Sequence, residues 1–82
     1  MAQVTVRFFA RYAELTGCQA TSVDVPERAT VREVLERMRE SIPRARDLPE
    51  HPFTVLNFKQ VKLDARVSDG DEVALLPPFS GG

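Results

Sequence analysis

Residues 30–42 read TVREVLERMRESI, and this stretch decides the fold class. Thr30 and Glu33 have the capping-box spacing, in which a hydroxyl and a carboxylate each satisfy a free backbone amide of the other residue. Apolar side chains then recur at helical spacing, and charged ones cover the opposite face. The apolar positions are Val31, Val34, Leu35, Met38 and Ile42. With Pro43 as its stop, the pattern predicts a single amphipathic helix with one buried face.

The residues before this helix predict two strands. Residues 3–9 (QVTVRFF) alternate, with Val4, Val6 and Phe8 on one side and Phe9 on the other, as in a strand with one buried face. Residues 20–25 repeat the alternation and end at Pro26. Between them, residues 11–15 are compatible with one helical turn closed by Gly17. We therefore expect an antiparallel pair of strands.

The residues after the helix predict a loop and three further strands. Three prolines within residues 43–52 argue against regular structure there. Residues 53–58 form the third strand, in which Asn57 is suited to a left-handed conformation. A short segment near residues 61–63 follows. The turn at residues 68–71 leads into the final strand, residues 72–76.

This order predicts an α+β fold. A single helix cannot cover both faces of a sheet, so we expect it to pack on one face only. If the last strand lies beside the first, the chain is a β-grasp: a mixed sheet of four to five strands with one main helix. We expect residues 1–76 to form a single domain and residues 77–82 to form a flexible tail.

Composition excludes several functional classes. The 82 residues carry 11 basic and 12 acidic side chains, and this near-balance provides no positive field for nucleic acid. No apolar run approaches the roughly 20 residues that span a bilayer, so no membrane association is expected. The N-terminus lacks the apolar stretch of a signal peptide, and one cysteine excludes an internal disulfide. The expected location is the cytoplasm.

Chemistry-bearing side chains are scarce. The chain has one histidine, His51, and one cysteine, Cys18, too few for the common zinc spacings. The acidic residues at 69, 71 and 72 lack the spacing of a calcium loop, and no phosphate-binding glycine loop is present. No metal site is therefore predicted, and the chain is not expected to be catalytic on its own.

The C-terminus is the strongest candidate site. The chain ends Pro77-Pro78-Phe79-Ser80-Gly81-Gly82, and chance places two glycines at a given end in only about one chain in two hundred. Proline fixes φ and holds the tail away from the sheet, while glycine lets backbone pass through a narrow channel. The pattern favours delivery of the Gly82 carboxylate into another protein's active site; a frayed terminus is the alternative.

A second candidate is an apolar surface on the helix-free face of the sheet. Alternation places Phe9 and Leu76 outward on strands expected to be neighbours, with Val55 nearby. Exposed apolar clusters of this kind often bind partner proteins. The alternative is that these are scattered surface residues.

These residues resemble those of the molybdopterin synthase small-subunit family, ubiquitin-like sulfur carriers with the β-grasp fold. The resemblance covers essentially the full length. It is carried by residues 8–11 (FFAR), 14–17 (ELTG), 30–31, 56–57, 69–74 (DGDEVA) and the terminal PPFSGG. The terminal block is highly specific, whereas the fold alone is shared by many functions.

The resemblance implies a mechanism. Gly82 would be adenylated from ATP by a ubiquitin-activating-type adenylyltransferase and converted to a thiocarboxylate, with sulfur supplied indirectly by a sulfurtransferase or cysteine desulfurase. The tail would enter the large synthase subunit, in a heterotetramer, and give its sulfur to a cyclic pyranopterin precursor of molybdopterin. Gly81 would give clearance, residues 77–80 would guide the tail, and Phe9 and Leu76 would contact partners. No cofactor would be bound permanently.

Two departures from the family and several alternatives remain. Phe79 stands where the family often has a smaller apolar residue, and Gln60 replaces an apolar residue of some relatives. The sulfur acceptor could instead belong to thiazole synthesis, tRNA thiolation or cysteine formation, although the PPFSGG ending favours molybdopterin over thiazole. A protein modifier joined to lysines through Gly82 is a different class, and a passive binding module is a third.

Overall fold

The computed structural model describes residues 1–49 and 52–77, and its elements follow the predicted order. The strands are β1 (Ala2–Phe8), β2 (Ala20–Val25), β3 (Phe53–Leu56), β4 (Lys59–Gln60) and β5 (Glu72–Leu76). The helices are α1 (Arg11–Thr16), α2 (Val31–Ser41) and a 3-10 helix (Pro43–Asp47). The described strands form one sheet in the order β2-β1-β5-β3-β4. The β5 strand is parallel to β1, and the other pairs are antiparallel, which confirms the mixed β-grasp sheet.

Helix α2 begins as the sequence predicts. The Thr30 Oγ1 accepts a hydrogen bond from the Glu33 amide at 3.3 Å, and the Glu33 Oε1 accepts one from the Thr30 amide at 3.2 Å. The next two amides, of Val31 and Arg32, donate to the carbonyls of Ala65 and Leu63, both at 2.9 Å. The first turn of α2 is therefore fully bonded and tied to the segment that precedes β5.

The core lies between α2 and one face of the sheet. The fully buried α2 side chains Val31, Val34, Leu35 and Met38 meet a layer of inward-facing strand residues. That layer consists of Ala2, Val4, Val6 and Phe8 of β1, Val23 and Val25 of β2, Thr54 of β3, and Val73 and Leu75 of β5. The opposite face of the sheet carries no helix in the described ranges, and we call it the outer face.

The connection between β1 and β2 contains α1, which ends as expected at Gly17. Gly17 has φ 80°, the left-handed conformation that glycine adopts without a steric penalty. The Thr16 hydroxyl donates to the Tyr12 carbonyl at 2.9 Å, so the end of this short helix is held from within.

Two sequence predictions of local structure were wrong. Residues 43–47 form a 3-10 helix although a loop was expected, because proline is tolerated at the first helical positions and blocks only later ones. The short strand after β3 lies at Lys59–Gln60, before the expected residues 61–63. Asn57 and Phe58 form a two-residue turn, so pairing resumes immediately after it.

Candidate functional site

The predicted tail leaves the sheet from its central strand. Strand β5 pairs with β1 on one side and β3 on the other, and its Val73 and Leu75 are completely buried. Pro77 follows the last strand residue directly. The root of the tail, where Pro77 follows Leu76, is therefore held by a strand that is hydrogen-bonded on both sides. Pro78, Phe79, Ser80, Gly81 and Gly82 lie outside the described residues, and their assigned roles stay predictions.

The structure brings the predicted outer residues together. On β5, Ala74 lies opposite Val55 of β3 and Arg7 of β1, and Leu76 lies opposite Phe53. All of these positions alternate with buried residues along their strands and therefore lie on the outer face. Phe9 follows β1 and its amide donates to the Leu75 carbonyl at 3.3 Å, which places it next to the end of β5. Phe9, Val55 and Leu76 thus share one surface, and their role in binding a partner stays a prediction.

This surface is a groove of about 370 Å³, which we call the outer groove. Its apolar lining consists of Phe9, Val55, Phe58, Ala74 and Leu76. Phe9 is 44% exposed and Phe58 is 97% exposed. Because the Phe58 ring is almost fully exposed, its burial contributes almost nothing to the stability of this fold. Such a ring marks a surface suited to contact with another molecule.

One end of the outer groove is polar. Glu72 accepts a charge-assisted hydrogen bond from Arg7 Nε at 2.9 Å on the outer face, and both side chains are a little under half exposed. At such exposure the pair contributes at most about 1 kcal/mol to stability. Its larger consequence is that these two charges neutralise each other beside the apolar lining.

The turn that carries Phe58 is anchored to the start of β5 by Asn57. The Asn57 amide donates to the Glu72 carbonyl, and the Asn57 Oδ1 accepts from the Glu72 amide, both at 3.0 Å. The Asn57 Nδ2 donates to the Asp71 carboxylate at 2.9 Å. Asn57 has φ 48°, as the sequence predicted, and Phe58 has φ 72°. Both central residues are left-handed, as a type I′ hairpin turn requires.

Phe58 is the member of this surface that sequence reasoning missed. The sequence predicted it as the end of the third strand, whose inward and outward phases were ambiguous. The sequence did contain a usable signal. Asparagine tolerates the left-handed conformation, so Asn57 between two short strands favours a tight hairpin turn, and Phe58 then lies at the tip of that turn.

Other candidate groups do not assemble into a site. Cys18 is half-buried, with its Sγ 3.8 Å from the Thr16 Oγ1. Among residues 1–49 and 52–77, histidine, cysteine, aspartate and glutamate side chains form no group of three able to hold a metal ion. His51 lies outside the described residues. No helix within the described part of the chain has the length and apolar character needed to cross a membrane.

Comparison with known proteins identifies relatives along the whole chain. The sequence model of the ThiS family matches residues 6–82. The molybdopterin synthase sulfur carrier subunit of Escherichia coli is 37% identical over 83 residues, which cover 96% of this chain and 99% of that protein. The small archaeal modifier protein 1 of Haloferax volcanii is 32% identical over 84 residues, covering 93% of this chain and 97% of that one.

Solved structures show the same fold. The crystal structure of SAMP1 from Haloferax volcanii superposes with a TM-score of 0.89 at 30% identity and covers 99% of this chain and 100% of that chain. A chain of the BexX/CysO complex of Amycolatopsis orientalis superposes with a TM-score of 0.76 at 26% identity, covering 96% and 99%.

Proposed function

This chain belongs to the ThiS family, and we propose that it is a sulfur carrier that holds its sulfur as a thiocarboxylate on Gly82. The observation that carries the proposal is the position of the tail: PPFSGG follows directly on the central strand of the sheet. A strand paired on both sides fixes the tail root, and the small residues Ser80, Gly81 and Gly82 at the end suit entry into a narrow channel. The likeness to sulfur carrier subunits supports the same role.

Loading of Gly82 takes three chemical steps. An oxygen of the terminal carboxylate attacks the α-phosphorus of ATP on a ubiquitin-activating-type adenylyltransferase, and pyrophosphate leaves. Persulfide sulfur, supplied by a sulfurtransferase or cysteine desulfurase, then attacks the acyl carbon and AMP leaves. A thiol cleaves the remaining S–S bond and releases the thiocarboxylate. The chain contributes the reacting end and its delivery, and the partner enzymes contribute the catalytic groups.

We propose a cyclic pyranopterin precursor as the acceptor, which places the chain in molybdopterin synthesis with the large synthase subunit as its partner. The Escherichia coli relative bears the name of that pathway's carrier subunit. The outer groove borders the root of the tail and gives the large subunit a surface to bind while it takes up Gly82.

Intact-protein mass spectrometry tests the carrier role. Protein from cells that contain the activating enzyme should show the mass increase of one oxygen replaced by sulfur, confined to the C-terminal peptide. A variant that lacks Gly82 is the matched control and should show no increase. Persistent absence of the increase in the wild-type protein would rule out the carrier role. Transfer of labelled sulfur to molybdopterin with the large subunit then separates this acceptor from tRNA, thiazole or cysteine routes.

A second candidate function is protein modification, which the likeness to a small archaeal modifier protein favours. The same activated Gly82 would then be attacked by a lysine amine, and an isopeptide bond would form as AMP leaves. Denaturing purification followed by peptide mapping distinguishes the two functions, since a modifier leaves Gly82 joined to lysines of other proteins.

A further inference from the structure

A second cavity lies at the end of the sheet from which the tail departs. Strand β5 ends between the end of β1 and the start of β3, because it runs parallel to β1 and Leu76 lies opposite Phe53, the first residue of β3. Helix α1 follows the end of β1, and Pro49 precedes the start of β3. A cavity of about 530 Å³, which we call the end pocket, has walls from both of these segments. Its lining residues are Arg11, Tyr12, Glu14, Leu15, Asp47 and Pro49, and none of these six lines the outer groove.

The end pocket contains a hydroxyl that the described residues leave without a partner. Tyr12 lines the pocket although it is only 5% exposed, so its ring is packed in the core and only its edge reaches the cavity. No hydrogen bond joins its hydroxyl to residues 1–49 or 52–77. A hydroxyl on a side chain this deeply buried is stabilised by a partner, and a ligand in the end pocket can supply a carbonyl for it.

The protein's own tail is the segment that leaves the sheet beside this pocket. The Phe9 amide donates to the Leu75 carbonyl at 3.3 Å, and the Phe9 carbonyl accepts from the Tyr12 amide at 3.0 Å. These two bonds place the Tyr12 backbone within roughly 10 Å of Leu75, while an extended chain spans up to about 3.5 Å per residue. Phe79, four residues after Leu75, is therefore within reach of the end pocket.

The chemistry of the tail suits the lining of the end pocket. Residues 77–81 carry no charge, so they meet the Glu14 and Asp47 carboxylates of the pocket without charge repulsion. The Phe79 ring is the largest apolar group of the tail, and the Leu15 and Pro49 side chains give it an apolar wall. Burial of this ring against them removes apolar surface from water, which favours occupation of the pocket.

Arg11 offers a counter-charge for the end of the tail. It is exposed, and within the described part of the chain it forms no ion pair. We propose that the end pocket is a resting latch: while no partner is bound, it holds the Phe79 ring of the same chain, with the Gly82 carboxylate beside Arg11. A partner must open the latch before it takes up the tail, so its apparent affinity falls in proportion to the fraction of chains whose tail is free. The latch needs no sulfur on Gly82 and goes beyond the proposed function.

Nuclear magnetic resonance of the free wild-type chain tests the latch directly. With the Leu methyls ¹³C-labelled, we expect nuclear Overhauser effects between the Phe79 ring and the Leu15 methyls, and none at Leu63, a half-buried leucine beside the first turn of α2. The Phe79 signals are assigned by their loss in Phe79→Ala. Absence of these effects at Leu15 would overturn the latch. So would effects that arise only between differently labelled copies in a mixed sample, because the pocket would then hold the tail of another molecule.

A pair of leucine substitutions measures how far the end pocket protects the tail. Chymotrypsin cleaves after accessible phenylalanine, and loss of residues 80–82 is followed by intact mass. Leu15→Ala removes part of the pocket wall, whereas Leu63→Ala removes the same atoms from a half-buried leucine elsewhere. We expect Leu15→Ala to speed cleavage after Phe79 by about fivefold over the wild type, and Leu63→Ala to leave the rate unchanged.

The Leu63→Ala control separates opening of the latch from loss of global stability. Thermal unfolding checks that both variants are folded at the temperature of the digestion. Equal cleavage rates for the wild type and both variants would overturn the latch, and so would an equal acceleration by both variants.

Discussion

Phe58 combines two features that are unfavourable in an isolated domain. Its ring is almost fully exposed, and its backbone lies in the left-handed region at φ 72°. For a residue with a side chain, that region costs about 1–2 kcal/mol relative to the right-handed one. We therefore expect Phe58→Gly to raise the free energy of unfolding by about 1 kcal/mol while weakening binding of the large subunit.

Phe58→Ala separates these two effects. It removes the ring but retains the Cβ and hence the strain, so it should weaken binding without raising stability. Urea unfolding and calorimetric titration of both variants measure the two quantities. Equal stabilisation by both substitutions would show that the exposed ring, and not the backbone conformation, is the unfavourable feature.

Asn57 is predicted to stabilise the fold through its side-chain hydrogen bonds. Asn57→Gly keeps the left-handed backbone but loses the bonds to Glu72 and Asp71, which should cost about 1–2 kcal/mol. Asn57→Asp keeps an acceptor for the Glu72 amide but places a carboxylate against that of Asp71. At low salt it should therefore be the less stable variant.

The salt dependence of stability distinguishes charge repulsion in Asn57→Asp from the loss of hydrogen bonds in Asn57→Gly. Because ions screen exposed charges, the stability of Asn57→Asp should approach that of Asn57→Gly as sodium chloride is raised toward 1 M. Urea midpoints at several salt concentrations provide the measurement. A gap between the two variants that does not change with salt would contradict the assigned contact with Asp71.

Side-chain placement could be predicted where alternation was clean and not where it was mixed. Phe9 directly follows β1 and Leu76 ends β5, and their neighbours Phe8 and Leu75 face inward. Because side chains alternate along a strand, the outward placement of Phe9 and Leu76 could be predicted. Residues 53–58 have apolar side chains in both phases, and the sharp turn that exposes Phe58 depends on bonds to Asp71 and Glu72, distant in sequence. Local pattern carries no information about those partners.

Among the elements, α2 depends on its first turn. The capping box joins Thr30 and Glu33 reciprocally, and loss of such a cap typically costs about 0.5–2 kcal/mol. We expect Thr30→Ala to lower the unfolding free energy by that amount. Ser41→Ala is the matched control at the other end of α2, where the exposed hydroxyl donates to the Arg37 carbonyl. Equal losses from both variants in chemical denaturation would argue against the cap.

The elements also show where sequence reasoning succeeds. Helix α2 was predictable because its cap, its apolar period and its proline stop are all local signals. The 3-10 helix at Pro43–Asp47 was not, because proline content argues against α-helix and strand but not against a short 3-10 turn. The bounds of β4 depended on the turn type at residues 57–58, which composition alone does not specify.

For the whole molecule, stability rests on one small core. A domain of this length has a total unfolding free energy of roughly 4–12 kcal/mol. Leu35 is 1% exposed and faces the sheet from α2, so Leu35→Ala should cost about 2–5 kcal/mol and leave a substantial fraction unfolded at physiological temperature. Ile42→Ala, at the half-buried end of α2, should cost less. Similar losses in thermal unfolding would contradict this ranking.

The overall topology was predictable because few arrangements suit one helix and this strand order. The central place of β5 was expected on the condition that it lies beside β1, which its apolar alternation allows, and the structure shows that pairing. The chemistry of the tail was not derivable from packing at all. It came from the identity of the terminal residues PPFSGG.

The position of β5 has a consequence for how the protein is made. A ribosome produces the strands in numerical order, so the strand that belongs in the middle of the sheet is synthesised last. Until then β1 and β3 each lack a neighbour, and a chain that stops before β5 exposes two unpaired edges that invite aggregation. The sheet can therefore be completed only in chains whose translation has reached the strand that bears the tail. We expect prematurely terminated chains to remain unfolded and to be degraded by proteases.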